Sequence, residues 1–287
     1  MPISFIVISI NKKNPNKPFK NSLFNFNPMI TVLQVFFSLL LIILIILFVF
    51  RSRRIETVSW PHNYQDQLND YVRFYSNLKE EEKKIFEEKF EKFLSAVKIT
   101  GANAEVEDID RVLIGAAAVI PVYFIPDWEY VNLREILVYP GNFNVDFDQH
   151  GQDRMISVMV ESGGLQNVMI ISKWDLRQGF INSHSNRNTA IHEFVHLIDK
   201  MDGTLDGVPE ILLERKYIAQ WQQLTYFTME QIRRGESDID IYGATSPVEF
   251  FAVASEYFFE QRELFRSNHP QLNEMMERIF IRKNKLV

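Results

Sequence analysis

Residues 31–50 read TVLQVFFSLLLIILIILFVF, twenty positions without a charge and with only Thr31, Gln34 and Ser38 polar. At about 1.5 Å rise per residue, a helix of this length covers roughly 30 Å, the thickness of a bilayer's hydrocarbon core. A helix of a soluble domain keeps a polar face, and this stretch has none. The sequence therefore predicts a transmembrane helix over residues 30–50. No small-residue cleavage site follows it, so it reads as an uncleaved anchor. Arg51, Arg53 and Arg54 come directly after the span, whereas the nearest cation before it is Lys20. Cations gather on the cytoplasmic side, which predicts a single-pass protein of the inner (cytoplasmic) membrane with its body in the cytoplasm. Residues 1–28, rich in Asn, Lys, Phe and Pro, read as a disordered tail or as a start that belongs at Met29.

The first 54 residues hold seven Lys and Arg and no acid, leaving 24 basic against 37 acidic residues in the rest. A body carrying about thirteen excess negative charges repels a phosphate backbone, and no basic stripe offsets this, so nucleic acid is excluded as a partner. The chain has no cysteine. Disulfides and thiolate sites are excluded with it, and any metal must be held by His and carboxylates.

The body, 55–287, opens with a linker. Tyr71, Phe74, Leu78, Ile85, Phe86, Phe90, Phe93 and Leu94 then fall mostly at helical spacing and predict an amphipathic helical region over 71–97. A second helix is expected over 108–120, capped by Asp108 or Asp110 and limited by Pro121. Between 122 and 176 the runs VYFI, EILVYP, MISVMVES and NVMIIS, separated by Pro, Gly and Asn, predict a small sheet. From 188 onward the chain is helical again. Strands between helical blocks give one α+β domain.

The chemistry concentrates at His192-Glu193-Phe194-Val195-His196, an H-E-x-x-H run on a helix opened by Asn188 or Thr189. At this composition the pattern arises by chance in about one chain per hundred, so it is read as a site. Four residues apart on a helix, the two imidazoles share a face and can meet one Zn²⁺, with Glu193 beside the water that the metal would hold. Zinc brings the pKa of such a water to about 7, and a neighbouring carboxylate can take its proton as it attacks a carbonyl. A catalytic zinc wants a third protein ligand. Glu249 and Glu256, seven apart in IYGATSPVEFFAVASEYFFE, share a helix face, and either can reach a metal. Ser246-x-x-Glu249 is also a capping box. On spacing alone the two glutamates are even. Asp199, three residues after His196, can orient an imidazole or end the helix. The strand at 167–172 is the candidate for pairing with an extended peptide substrate.

The stretches RNTAIHEFVHLIDKMDG, VPE, YGATSPVEFFAVASEYFFE and EILVYPGNF resemble the Mlc titration factor A family of zinc-dependent metallopeptidases, over most of residues 65–275. The Tyr-x6-Glu spacing also resembles the peptidase domain of anthrax lethal factor. This resemblance implies a zincin-like fold with an HExxH active-site helix, and one zinc per chain held by His192, His196 and Glu249. It implies Glu193 as general base and Tyr242 as donor to the oxyanion, with Glu256 and Asp199 left to support the imidazoles or serve as alternative ligands. It implies aminopeptidase-like or endopeptidase action on short peptides. As partners it implies a peptide or protein substrate and, through the family's name, a transcriptional regulator that the fold would sequester.

Overall fold

The computed structural model describes residues 37–41, 61–141, 158–160, 167–181 and 187–281. The chain divides into two compact units, Met1–Thr57 and Val58–Val287. In the first, residues 37–41 are helical, and the remainder of the apolar run that predicts a membrane span lies outside the described residues, as do residues 1–28. Among the described residues no helix is long and apolar enough to cross a membrane.

In the second unit, three helices occupy the region for which the spacing predicts amphipathic helix: α1 (Tyr64–Tyr71), α2 (Arg73–Ser76) and α3 (Glu80–Ala96). The chain breaks at Val72, which is extended and buried. Helix α3 opens with Glu80, Glu81 and Glu82, and Glu82 accepts a hydrogen bond from the Lys79 N–H at 2.8 Å. Its buried stripe is Phe86, Phe90, Phe93 and Leu94. Helix α4 (Asp108–Val119) packs on that stripe closely enough that a Cβ at Gly115 would stand 2.4 Å from the Phe90 ring.

The four-stranded sheet comprises β1 (Lys98–Gly101), β2 (Glu135–Tyr139), β3 (Val158–Val160) and β4 (Val168–Ser172), in the order β1-β2-β4-β3. The pairs β1–β2 and β2–β4 are parallel, and β3 runs antiparallel to β4. Between β1 and β2 the chain crosses over through α4, as a parallel pair requires. Three expectations are corrected here. Strand β1 forms where the sequence predicts none. The VYFI run does not form a strand: Pro121 and Pro126 bracket it, and it folds as a 3-10 turn (Ile120–Val122) and bends that bury Val122, Tyr123 and Ile125. The 167–172 segment has no open edge, because β4 is paired on both sides; among the described residues the edge strands are β1 and β3.

Helix α5 (Lys173–Ile181) leads to α6 (Thr189–Asp199), which carries the H-E-x-x-H run, and on to α7 (Arg215–Arg233). A 3-10 turn (Ile241–Ala244) precedes α8 (Pro247–Glu260), and α9 (Arg262–Asn268) and α10 (Pro270–Phe280) complete the unit. Helix α8 is central. Phe250, Phe251, Ala254, Tyr257 and Phe258 are all buried, and Trp221 of α7 lies against Phe250 and Phe251 with ring centroids 6.1 and 5.7 Å apart. With apolar side chains on several of its sides, α8 is fixed alongside α6. The fold is mostly helical with one small sheet, an α+β arrangement.

Candidate metal centre

Asn188 starts the helix that carries the H-E-x-x-H run. Its side-chain oxygen accepts from the Ile191 N–H at 3.3 Å, capping α6, and its own backbone N–H donates to Glu256 Oε2. The cap sets the phase of the helix, and the phase decides which side chains face α8. Ile191, Phe194, Val195, Leu197 and Ile198 go into the core, leaving His192, Glu193 and His196 on one side. One ligand atom from each of these three lies within 4.8 Å of the others. The imidazoles of His192 and His196 meet edge to face, centroids 4.5 Å apart.

Across from them, Ser246 caps α8 by accepting from the Glu249 N–H at 3.2 Å, with Pro247 in the first turn. Glu249 Oε2 is 3.0 Å from His192 Nε2 and 3.5 Å from His196 Nε2. Glu256, two turns further on, meets the opposite nitrogen: its Oε1 is 2.7 Å from His192 Nδ1. The two glutamates that spacing leaves even thus occupy different sides of one ring. The serine cap and the contact with the imidazoles also coexist at Glu249, since the cap uses its backbone N–H.

The electrostatics follow from this crowding. Burial works against a charged His192, but hydrogen bonds with Glu249 and Glu256 overcome it and push its pKa up to about 10. Burial likewise resists ionisation of Glu249, yet the hydrogen bonds with His192 and His196 hold its carboxyl well below the usual range. Burial raises Glu193 above an ordinary carboxyl, against the pull of the two imidazoles. A pair of carboxylates that makes a buried imidazole bind a proton offers the same attraction to a dication, provided the imidazole gives up that proton. The N, N, O donor set therefore fits a divalent metal.

Tyr242 stands on the 3-10 turn, 49% exposed, its ring centroid 6.0 Å from that of His192. Partial burial, then the charges of Glu249 and Glu193, raise its phenol, which stays protonated at neutral pH. Asp199 makes no hydrogen bond with His196, although the imidazole's charge favours its ionised form. It is buried, its Oδ2 accepts from the Gly207 N–H at 2.8 Å, and burial lifts its pKa to about 6. Among the described residues, Asp199 Oδ1 and His196 Nδ1 have no hydrogen-bond partner.

Two residues were not read from the sequence as part of the site. Asn188 joins the helix cap to both Glu256 and Glu260, the latter through Nδ2 at 2.9 Å. Asp240 accepts from the Tyr242 N–H at 2.9 Å and pairs with Arg187 at 2.7 Å, linking the tyrosine turn to the approach to α6. Its signal was present: an Asp two residues ahead of a turn residue is an Asx-turn pattern.

The profile of the family described as Glucose-regulated metallo-peptidase M90 matches residues 48–281. The chain belongs to this family. Relatives named Mlc titration factor A bear out the resemblance read from the motifs. Mlc titration factor A of Escherichia fergusonii is 30% identical over 237 residues, 75% of this chain and 88% of its own length. Mlc titration factor A of Salmonella schwarzengrund is 30% identical over 230 residues, 76% and 84% of the two lengths. An uncharacterised protein of Synechocystis sp. is 29% identical over 245 residues, 80% of this chain and 87% of the relative. The M90 match thus spans both α6 and α8, the two helices that bring the His and Glu side chains together.

Proposed function

We propose that the chain is a membrane-anchored zinc peptidase, with an anchor at 30–50, a catalytic body at 55–287 and that body on the cytoplasmic side. One observation carries the reading: a single oxygen of Glu249 stands 3.0 and 3.5 Å from the Nε2 atoms of two histidines, with the Glu193 carboxyl in the same cluster. Donors held about 2.0–2.1 Å from a tetrahedral zinc lie roughly 3.3 Å from one another, so the Glu249 oxygen stands from each imidazole nitrogen at about the spacing of such a shell. His192, His196 and Glu249 would hold the metal. When bound, zinc supplies the Lewis acidity that makes water nucleophilic near neutral pH and polarises a peptide carbonyl.

The remaining steps belong to the protein. Glu193, raised by burial, takes the proton of the attacking water and passes it to the leaving amine. Tyr242, kept protonated and standing beside His192, donates its O–H to the oxygen on which negative charge develops. Glu256 accepts from His192 Nδ1–H and so turns Nε2 toward the shared oxygen of Glu249. An extended peptide would pair along the outer edge of β3, which has no strand beyond it among the described residues.

The test is zinc per chain, by elemental analysis, in the wild type and in His196→Ala, Glu249→Ala and Glu193→Gln. One zinc is expected in the wild type and in Glu193→Gln, and none in the other two. Hydrolysis of short peptides is expected to fall by roughly 10²–10⁴ in Glu193→Gln. Full activity in that variant would defeat the mechanism.

A second reading rests on the relatives' name: the fold sequesters a transcriptional regulator. It predicts co-purification of the regulator with wild type and Glu193→Gln alike, so the same variant separates capture from cleavage.

A further inference from the structure

A cavity of about 530 Å³ opens between α3 and the segment 126–133, apart from the metal cluster. Its volume is that of a small-molecule pocket. Phe93, Val119, Val122, Trp128, Tyr130 and Leu133 give it a largely apolar wall in which three aromatic rings stand together: Phe93 to Tyr130 at 6.0 Å and Trp128 to Tyr130 at 5.8 Å. One cation in that wall is out of keeping. Lys89 is half-buried, its Nζ donates to the Ile125 carbonyl at 2.6 Å, and burial lowers its pKa. Among the described residues no carboxylate lies within ion-pair distance of it. Lys92, by contrast, is matched by Glu129 at 2.8 Å at the rim.

An ammonium half withdrawn from water, with one carbonyl for three N–H donors, pays a desolvation cost that the longer-range attraction of Asp127 in the same wall offsets only in part. An anion brought in on an apolar body would supply the missing acceptors, and such charge-assisted bonds are the stronger ones. We propose that this cavity is a binding site for a compact aromatic monocarboxylate, its ring among Phe93, Trp128 and Tyr130 and its carboxylate on Lys89. The occupant would press on the packing surface of the metal helix. Phe93 and Tyr130 lie 5.6 and 5.2 Å from the ring of Phe194, which sits between His192 and His196 in sequence, and Asn132 Nδ2 donates to the Leu197 carbonyl at 2.9 Å.

The site is tested by equilibrium dialysis of the full chain in lipid nanodiscs against naphthalene-2-carboxylate, with naphthalene-2-carboxamide as neutral control. Two variants accompany the wild type: Lys89→Met, which keeps length and loses charge, and Ala96→Phe, which places a ring at the exposed mouth. Thermal melting verifies that each is folded. Saturable binding of one carboxylate per chain is expected, at least tenfold weaker for the carboxamide and for Lys89→Met, and absent in Ala96→Phe. Binding confined to the lipid, or equal in all three proteins, would overturn the proposal. Equal binding of carboxamide and carboxylate would overturn the role of Lys89. None of these readouts depends on peptidase activity.

Discussion

Glu249 and Glu256 carry the same group on the same helix, yet they reach opposite nitrogens of one imidazole, at 3.0 and 2.7 Å. Glu256→Gln should therefore leave zinc bound but weaker by about 10–100-fold, measured by competition with a chelating dye, because glutamine offers one acceptor where the carboxylate serves both His192 and the Asn188 N–H. The spacing of seven places both glutamates on one face and goes no further. Two turns separate them by about 10 Å along the axis, and which turn stands level with Nε2 depends on how α8 crosses α6. That crossing is a property of packed cores, so the H-E-x-x-H half of the candidate site was legible from the chain and which glutamate faces which imidazole nitrogen was not. Glu260 gives a prediction about pH. Burial raises its pKa from 4.5 to about 7, so the folded state holds a proton that the unfolded chain has lost. The stability this confers is complete below pH 4.5 and is lost as pH rises through about 7. Glu260→Gln keeps an acceptor for Asn188 and carries no charge; its melting temperature should gain on the wild type between pH 4.5 and 7 and hold a constant lead above, worth at most roughly 3 kcal/mol.

Helices α6 and α8 are joined through the loop at Gly207 as well as through the core. Asp199 grips the Gly207 N–H, Trp221 Nε1 donates to its carbonyl at 2.7 Å, and a Cβ on it would stand 2.3 Å from the Pro247 carbonyl oxygen, at the start of α8. Its φ of +79° also disfavours any other residue. Gly207→Ala should lower stability by more than about 1 kcal/mol and should weaken zinc binding along with it, whereas Gly203→Ala, where a Cβ would meet nothing within 4 Å, should leave zinc binding unchanged. Helices with strong stripes and caps were readable: α3, α4, α6 and α8 lie close to where apolar spacing, Asn188 and the Ser246-Pro247 pair put them. Strands were less so. The burial of Ile99 in β1 comes from its place beside β2, and VYFI has the residues of a strand but lies between two prolines that cannot donate to a ladder, so four-residue apolar runs divided only once their neighbours were known.

At the scale of the chain, a group of strand-like runs set between helical blocks foretold an α+β body, but not its parallel core, which depends on a crossover that no local pattern spells out. The proposed anchor can be checked directly. The full chain should sediment with membranes and resist extraction by high salt, and a 55–287 fragment should remain in the supernatant; a full chain released by salt would remove the anchor from the proposal. The body itself contains a spacer one hydrogen atom thick. Between the segment that brings the two imidazoles and the segment that brings Glu249, the only side chain that fits at position 207 is none at all. The distance from Glu249 to the two imidazoles is in that sense shimmed from behind, and a substitution there would change it while touching none of the three side chains.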